Sequence, residues 1–327
     1  QSTSNLNMKF FPTTLKKIKI NDMSEMTEIS NISHMTQLTQ NAPLAFSELG
    51  ISPLILNILS KMGINAPTPI QLKSIPVVLQ SKDVIGIAQT GTGKTLAFGL
   101  PMIQLLAKGI GTGLIVLPTR ELAMQVEETL KKVGGSLGLR TAILVGGASM
   151  GAQISMIRQK PHIVVATPGR LNDHLKQKTI DLSTVAILVL DEADRMLDMG
   201  FEPQIRTILK AVPMEHQTLL FSATMPPKIR AIATGYMKSP VTVQIAEAGS
   251  TTERIAQEYY MISKDEKIQL LDKLLSDHNG TVLVFSRTKH GAKKLSHKIK
   301  DMGHTSADIH SNKSLAQRKA ALDGFKS

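Results

Sequence analysis

The chain has 327 residues, 42% of them hydrophobic and none cysteine, which suits two ordinary cored domains and excludes disulfides, thiol nucleophiles and Cys-containing zinc sites. The formal charge of +12 divides as +1 over residues 1–40, +7 over 41–245 and +4 over 246–327, so the basic excess is not a tail. It suits a polyanion track over two domains, although a basic soluble protein without such a partner has the same balance. No apolar run approaches the ~18 residues of a membrane span and the N-terminus has no apolar signal core, so no membrane contact and a reducing, cytoplasmic setting are expected.

Residues 1–40 are rich in Ser, Thr, Asn, Gln and Met, and read as a disordered tail. Structure is expected from Phe46 onward. Residues 52–62 have the spacing of an amphipathic helix, with Ser52 as N-cap, Pro53 at the first position and Gly63 at the end. Pro67 and Pro69 then fix a rigid extended turn before Gln71. That turn would hold the Gln71 amide, both donor and acceptor, against an adenine edge, with Phe46 stacked on the ring. A helix–helix turn with a solvated glutamine fits the same residues equally well.

Residues 84–88 read as a buried strand and residues 96–108 as a helix. Between them runs Ala88-Gln-Thr-Gly-Thr-Gly-Lys-Thr95, the strand, Gly-rich turn and helix start of a phosphate loop. Gly91 and Gly93 permit φ > 0, so successive N–H groups can converge on one anion at a helix N-terminus. Lys94 would reach the outer phosphates and Thr95 would offer its hydroxyl to Mg²⁺. Ala88 stands where the strict pattern has glycine, at a cost of one methyl group.

Short apolar runs follow at 114–117, 141–145, 163–166, 185–190, 219–221 and 241–245, most of them separated by helical patterns. Such alternation predicts an α/β fold with a doubly wound parallel sheet, whose ligands bind beyond the strands' carboxyl ends. Three of those ends carry Pro118-Thr-Arg-Glu-Leu-Ala123, Gly146-Gly147 and Thr167-Pro-Gly-Arg170. Each alone fits a cap or turn, but together they suggest one extended anion surface. The run 185–190 delivers Asp191-Glu-Ala-Asp194. Asp191 would hold Mg²⁺ and Glu192 would orient and deprotonate a water, although Asp194 also suits a helix cap. Ser222-Ala-Thr224 ends the next run, where its hydroxyls could bond those acids or close an ST-turn.

Residues 246–253 read as a linker between a domain over 41–245 and a second α/β unit over 254–327. In that unit strands are expected at 257–262, 281–285 and 305–309, with helices at 264–276, 289–302 and from Ser314.

Together these motifs resemble the DEAD-box RNA helicase family, whose naming sequence is Asp191-Glu-Ala-Asp194. Residues 63–71 with Phe46 resemble its Q motif and residues 88–95 its motif I, where the family also begins with alanine. Residues 118–123, 146–147, 167–170, 222–224 and 282–288 are similar to its motifs Ia, GG, Ib, III and IV. The resemblance runs from Phe46 to Ser327 and looks bacterial in type.

It implies two RecA-like domains and an ATP-dependent RNA helicase. Phe46 and Gln71 would bind adenine. Thr90, Gly91, Thr92, Gly93, Lys94 and Thr95 would bind phosphates and Mg²⁺. Asp191 and Glu192 would carry hydrolysis with Lys94, and Ser222 and Thr224 would couple it to strand separation. Arg120, Gly147, Thr167, Arg170 and, in the second domain, Arg287 would contact the RNA backbone. The family's motifs V and VI are not present, so the second domain is expected to be incomplete and the chain inactive alone. A non-enzymatic nucleotide- and RNA-binding remnant is the alternative, and an ATP-driven motor on another polymer a weaker one.

Overall fold

The computed structural model describes residues 17–19, 45–245 and 258–326. These form two compact units, 45–245 and 17–19 with 258–326. The linker expected at 246–253 and most of the tail expected to be disordered lie outside the described residues. Inside that tail, however, Lys17–Lys19 form strand β1.

The larger unit opens with a 3₁₀ turn, Phe46–Leu49, and helix α1, Pro53–Lys61. Pro53 begins α1 as its fixed φ allows, but the Ser52 hydroxyl makes no capping bond. Helix α2 (Pro69–Leu79) leads to strand β2 (Val84–Ile87) and helix α3 (Lys94–Leu106). Strand β3 (Thr112–Val116) is followed by α4 (Arg120–Gly134), and β4 (Thr141–Leu144) by α5 (Met150–Arg158). Strand β5 (Ile163–Ala166) precedes α6 (Pro168–Lys176), and β6 (Val185–Leu190) precedes α7 (Ala193–Asp198) and α8 (Glu202–Ala211). Strand β7 (Gln217–Ser222), α9 (Pro227–Tyr236) and β8 (Val241–Gln244) complete the unit.

The seven strands form one parallel sheet in the order β4-β5-β3-β6-β7-β2-β8. Strand side chains alternate between faces. Leu114, Val116, Val164, Ala166, Leu188 and Leu190 enter one core with Leu171, Met196, Ile205, Ile208 and Ile229, so helices α6 to α9 cover that face. The opposite face meets α3. There Phe98 lies 5.5 Å from Phe221, ring centre to ring centre, and Gly86 leaves room for the Phe221 ring. A Cβ at Gly86 would stand 2.4 Å from that ring, so β2 has a glycine where the neighbouring strand has its largest side chain. With helices on both faces, the architecture is the doubly wound α/β fold that the alternation predicts.

At the amino end of the sheet, buried Asp83 joins three segments. Its carboxylate accepts from Thr218 N–H at 2.7 Å and from Lys238 N–H at 2.6 Å, and its carbonyl accepts from Val241 N–H at 2.8 Å. The opposite edge is left for loops and helix N-termini.

The smaller unit pairs β1 antiparallel with β9 (Glu258–Tyr260), and adds helices α10 (Lys267–Asp277), α11 (Lys289–Asp301) and α12 (Leu315–Lys326). The antiparallel partner gives β1 the ladder that its Lys-Ile-Lys pattern alone does not announce. Residues 281–285 and 305–309 are not strands, contrary to expectation. A strand needs a ladder partner, and among the described residues none pairs with either segment. Val282, Leu283, Val284 and Phe285 are accordingly exposed. No helix among the described residues is long and apolar enough to cross a membrane.

Candidate functional site

Because the sheet is parallel, the segments that follow β2 to β7 all leave from one edge. Strand order divides them. The loops after β4, β5 and β3 carry Gly147, Thr167 with Arg170, and Arg120. The loops after β6, β7 and β2 carry Asp191 with Glu192, Ser222 with Thr224, and the residues 88–95. Neighbouring strands lie about 4.8 Å apart, so each group of three occupies a contiguous half of the edge roughly 10 Å wide. Asp191 N–H donates to the Val116 carbonyl at 3.1 Å across the seam between β6 and β3.

In the half that follows β6, β7 and β2, Gly91 and Gly93 both have positive φ, +82° and +92°. Thr90 and Gly91 are exposed at the bend, while the Thr92 hydroxyl donates to the Gln89 carbonyl at 2.7 Å. Gly93 is the N-cap of α3, and Lys94 and Thr95 are its first two residues. The buried Lys94 ammonium donates to the Ala88 carbonyl at 3.1 Å, so it is folded back over the loop.

The Gln71 amide is anchored at both ends. Its carbonyl oxygen accepts from Thr68 N–H at 2.9 Å and its amide nitrogen donates to the Gly93 carbonyl at 2.9 Å. Gln71 stands at the third position of α2, where a glutamine reaches back to the cap residue, and each end of its amide keeps one further hydrogen-bonding position. Phe46 is only 3% exposed and shares the lining of a small pocket with Leu56, Leu59 and Ile64.

Asp191 and Glu192 are both buried. Burial pushes the Asp191 carboxyl up to about 6, against the attraction of the Lys94 ammonium and a hydrogen bond of 2.9 Å from Glu192 N–H. Glu192 has φ +52°, a left-handed conformation costly for a residue with a Cβ. Its carboxylate is paired with Arg195 at 3.1 Å.

The Ser222 and Thr224 hydroxyls both meet Asp194. The Thr224 N–H and hydroxyl each donate to Asp194 Oδ2 at 2.8 Å, and Asp194 N–H donates to Ser222 Oγ at 3.2 Å. Burial alone would raise the Asp194 carboxyl, but the bonds from Thr224, Ser222 and Arg195 N–H hold it below its ordinary value.

In the half that follows β4, β5 and β3, three loops are tied together. Gly147 has φ +78°, and a Cβ there would stand 2.2 Å from Arg120 Nη1, so the Gly146-Gly147 bend lies directly against the Arg120 guanidinium. Arg170 Nη1 donates to the Ala148 carbonyl at 3.0 Å. Thr119 and Ser149 cap α4 and α5, whereas the Thr167 hydroxyl makes no capping bond at the start of α6. Two residues that sequence reasoning missed lie beneath these loops, Gln153 and His174, buried and bonded to each other at 3.2 Å. A histidine in a helix of mixed polarity gives no signal of such a partner. Arg287 stands exposed in the smaller unit, just before the Thr288 cap of α11.

The donor set suits a hard cation. Asp191 and Thr95 offer a carboxylate and a hydroxyl, and no cluster of three or more His, Cys, Asp or Glu suited to a metal occurs among the described residues.

The family model described as DEAD/DEAH box helicase matches residues 68–232. Among curated relatives, the chain is 41% identical over 290 residues to the ATP-dependent rRNA helicase rrp3 of Schizosaccharomyces pombe, covering 88% of this chain and 62% of the relative. It is 43% identical over 284 residues to the DEAD-box ATP-dependent RNA helicase CshA of Geobacillus kaustophilus, covering 86% and 61%. The CshA of Listeria monocytogenes is 44% identical over the same length, covering 86% and 55%. The chain thus spans little more than half the length of these relatives. The crystal structure of a DEAD box protein from Methanococcus jannaschii superposes with a TM-score of 0.59 at 36% identity, covering 86% of this chain and 77% of that one.

Proposed function

The chain belongs to the DEAD/DEAH box helicase family, and from that premise we propose that it binds ATP and RNA and couples ATP hydrolysis to the remodelling of RNA duplexes, in a cytoplasmic setting. The observation that carries the proposal is the grouping of a phosphate loop, two buried acids and two hydroxyls on three adjacent strands, beside a half-edge of glycines and arginines.

Residues 90–95 cradle the phosphates, with N–H groups of the Gly91–Gly93 bend and the start of α3 aimed at negative charge. Lys94 moves from the Ala88 carbonyl to the outer phosphates. Asp191 and Thr95 would hold Mg²⁺, which would supply positive charge beside the phosphates. Glu192 orients the attacking water and takes its proton, with Arg195 holding the carboxylate in place. Ser222 and Thr224 hold Asp194, so the loop after β7 is fixed to the segment that carries the acids. RNA is held through its backbone with little sequence preference, because the groups on the other half are guanidiniums, a hydroxyl and glycine N–H groups, and aromatics make up only 3% of the chain.

The test is ATP turnover with and without RNA in a protein extended through the family's motifs V and VI, beside its Lys94→Ala variant. RNA-stimulated turnover that falls by about 10²-fold or more in the variant is expected, since a preorganised charge partner of the transferred phosphate is removed. Binding of both ligands without turnover would favour the non-enzymatic reading. Stimulation by DNA and not by RNA would favour a motor on another polymer.

A further inference from the structure

Beneath the polyanion half of the edge runs a chain of buried side-chain hydrogen bonds. Gln153 Nε2, on α5, donates to the Val145 carbonyl at 3.0 Å, just beyond β4. Gln153 Oε1 faces His174 Nε2, on α6, at 3.2 Å. His174 Nδ1 lies 2.7 Å from the Thr179 hydroxyl, beyond the end of α6. His174 is wholly buried and Gln153 is 1% exposed. The pattern sets the donors. Gln153 gives its N–H to Val145, so its oxygen must accept, and His174 Nε2 must carry the proton. The remaining nitrogen faces the Thr179 hydroxyl, whose single hydrogen is shared between it at 2.7 Å and the His174 carbonyl at 3.2 Å.

We propose that Gln153 and His174 are positioning residues for RNA binding: their relay sets the spacing between the Gly146–Ala148 bend and the α6 helix start that presents Thr167 and Arg170. The inference rests on the RNA-binding reading given above.

Three features support it. The relay joins the two elements that bring the phosphate-facing groups, at the point where Arg170 also reaches the Ala148 carbonyl. It also satisfies the Val145 carbonyl, which lies past the last ladder position of β4 and is buried. Finally, apolar side chains of similar size would fill this space and tolerate sliding of α6 on α5. A fully satisfied polar chain in a low-dielectric interior permits one register only. Neither residue reaches the surface, so neither touches the polymer. Both act through the loops they hold.

The experiment uses the full chain with His174→Asn, His174→Gln and Thr179→Val. Glutamine places an N–H near the Nε2 position and keeps the bond to Gln153. Asparagine mimics only the Nδ1 side and loses it. Binding of a fluorescent single-stranded RNA is measured across a salt series, together with the affinity for a fluorescent ATP analogue without RNA and the thermal midpoint. The expected result is RNA affinity about five- to tenfold weaker in His174→Asn, the loss of one buried hydrogen bond, with a shallower salt dependence. His174→Gln should lie within about twofold of the parent and Thr179→Val between the two. Nucleotide affinity should stay within about twofold throughout, because the relay lies under the other half of the edge. If His174→Asn lowers the thermal midpoint yet the folded protein binds RNA as the parent does, the residues only stabilise the fold and the proposal is overturned. Should His174→Asn not fold, Thr179→Val and His174→Gln decide between the same two outcomes: equal RNA affinities in both would overturn the proposal. A parent chain that binds no RNA would instead overturn the underlying reading, and the relay's role with it.

Discussion

The Gln71 side-chain amide donates to the Gly93 carbonyl at 2.9 Å, so the turn that begins α2 is tied to the last residue of the phosphate loop. The tie is close: a Cβ on Gly93 would stand 2.4 Å from Gln71 Nε2. The second N–H and the second lone pair of the amide can meet a base while both present partners are kept.

Gln71→Ala therefore loosens the loop as well as any base contact. We expect affinity for both ATP and GTP to fall about fivefold, the worth of one hydrogen bond in a buried setting, with ATP falling further if the amide also reads adenine. Titration with fluorescent analogues of both nucleotides checks this. A variant that loses only its preference for ATP, with GTP affinity untouched, would show that the tether contributes nothing to phosphate binding.

Thr224→Val removes the hydroxyl donor to Asp194 while keeping the side chain's shape. The Asp194 carboxyl is held below its ordinary value of 3.8, so its contribution to stability is present above that value and is lost as pH falls through the folded-state value. The variant should be less stable at pH 7 by about 1 kcal/mol, a charged hydrogen bond discounted for partial exposure. The gap should narrow toward pH 3. Urea midpoints at pH 7, 4 and 3 measure it, and a constant gap across that range would refute the assignment.

Arg120→Ala removes a guanidinium that lies against Gly147 at the polyanion half of the edge. Binding should weaken alike for unrelated RNA sequences, and the slope of log affinity against log salt should become shallower by about 0.7 to 1. Sequence-dependent weakening at an unchanged slope would mean that Arg120 reads bases instead.

His174 is held below its ordinary 6.5 by burial, with Arg170 pushing the same way and Asp173 opposing. The unfolded chain takes up a proton near pH 6.5 that the folded chain refuses until lower pH. Stability is therefore undiminished by this group above 6.5 and falls as the pH drops below it. Between pH 7.5 and 5.5 the urea midpoint should fall more in the parent than in His174→Gln, which has no group to titrate. Equal falls would place the titration elsewhere.

The sequence is most legible where chemistry is local. Residues 88–95 carry their turn, their cation and their helix start within eight positions, and residues 185–194 carry an apolar strand that ends in acids. Both signals depend on neighbours along the chain. Gln71 is half legible: its position near a helix start is clear, but its partner Gly93 lies 22 residues away. Gln153 and His174 give no sign, since each is an ordinary residue until α5 and α6 are brought side by side. The same distinction explains residues 281–285. Their apolar, β-branched character reads as a strand, but a strand is a relation between two segments, and none of the described residues supplies the second.

The order of the strands in the sheet also has a consequence for how the unit can be divided. Along the chain, β2 comes first, then β3, β4 and β5, then β6 and β7. In space, β2 lies beside β7, and β3 to β5 form the flank beyond β6. The flank that carries Arg120, Gly147 and Arg170 is therefore spliced into the middle of the one that carries residues 88–95, Asp191 and Ser222. No single cut of the backbone releases either flank as a continuous piece, and removing the spliced segment would strip β6 of its β3 neighbour. The two flanks must fold, persist and fail together, with most of their pairings formed between segments far apart in the chain. A parallel sheet of that kind closes slowly, because distant loops must be drawn in before any ladder compensates their lost entropy.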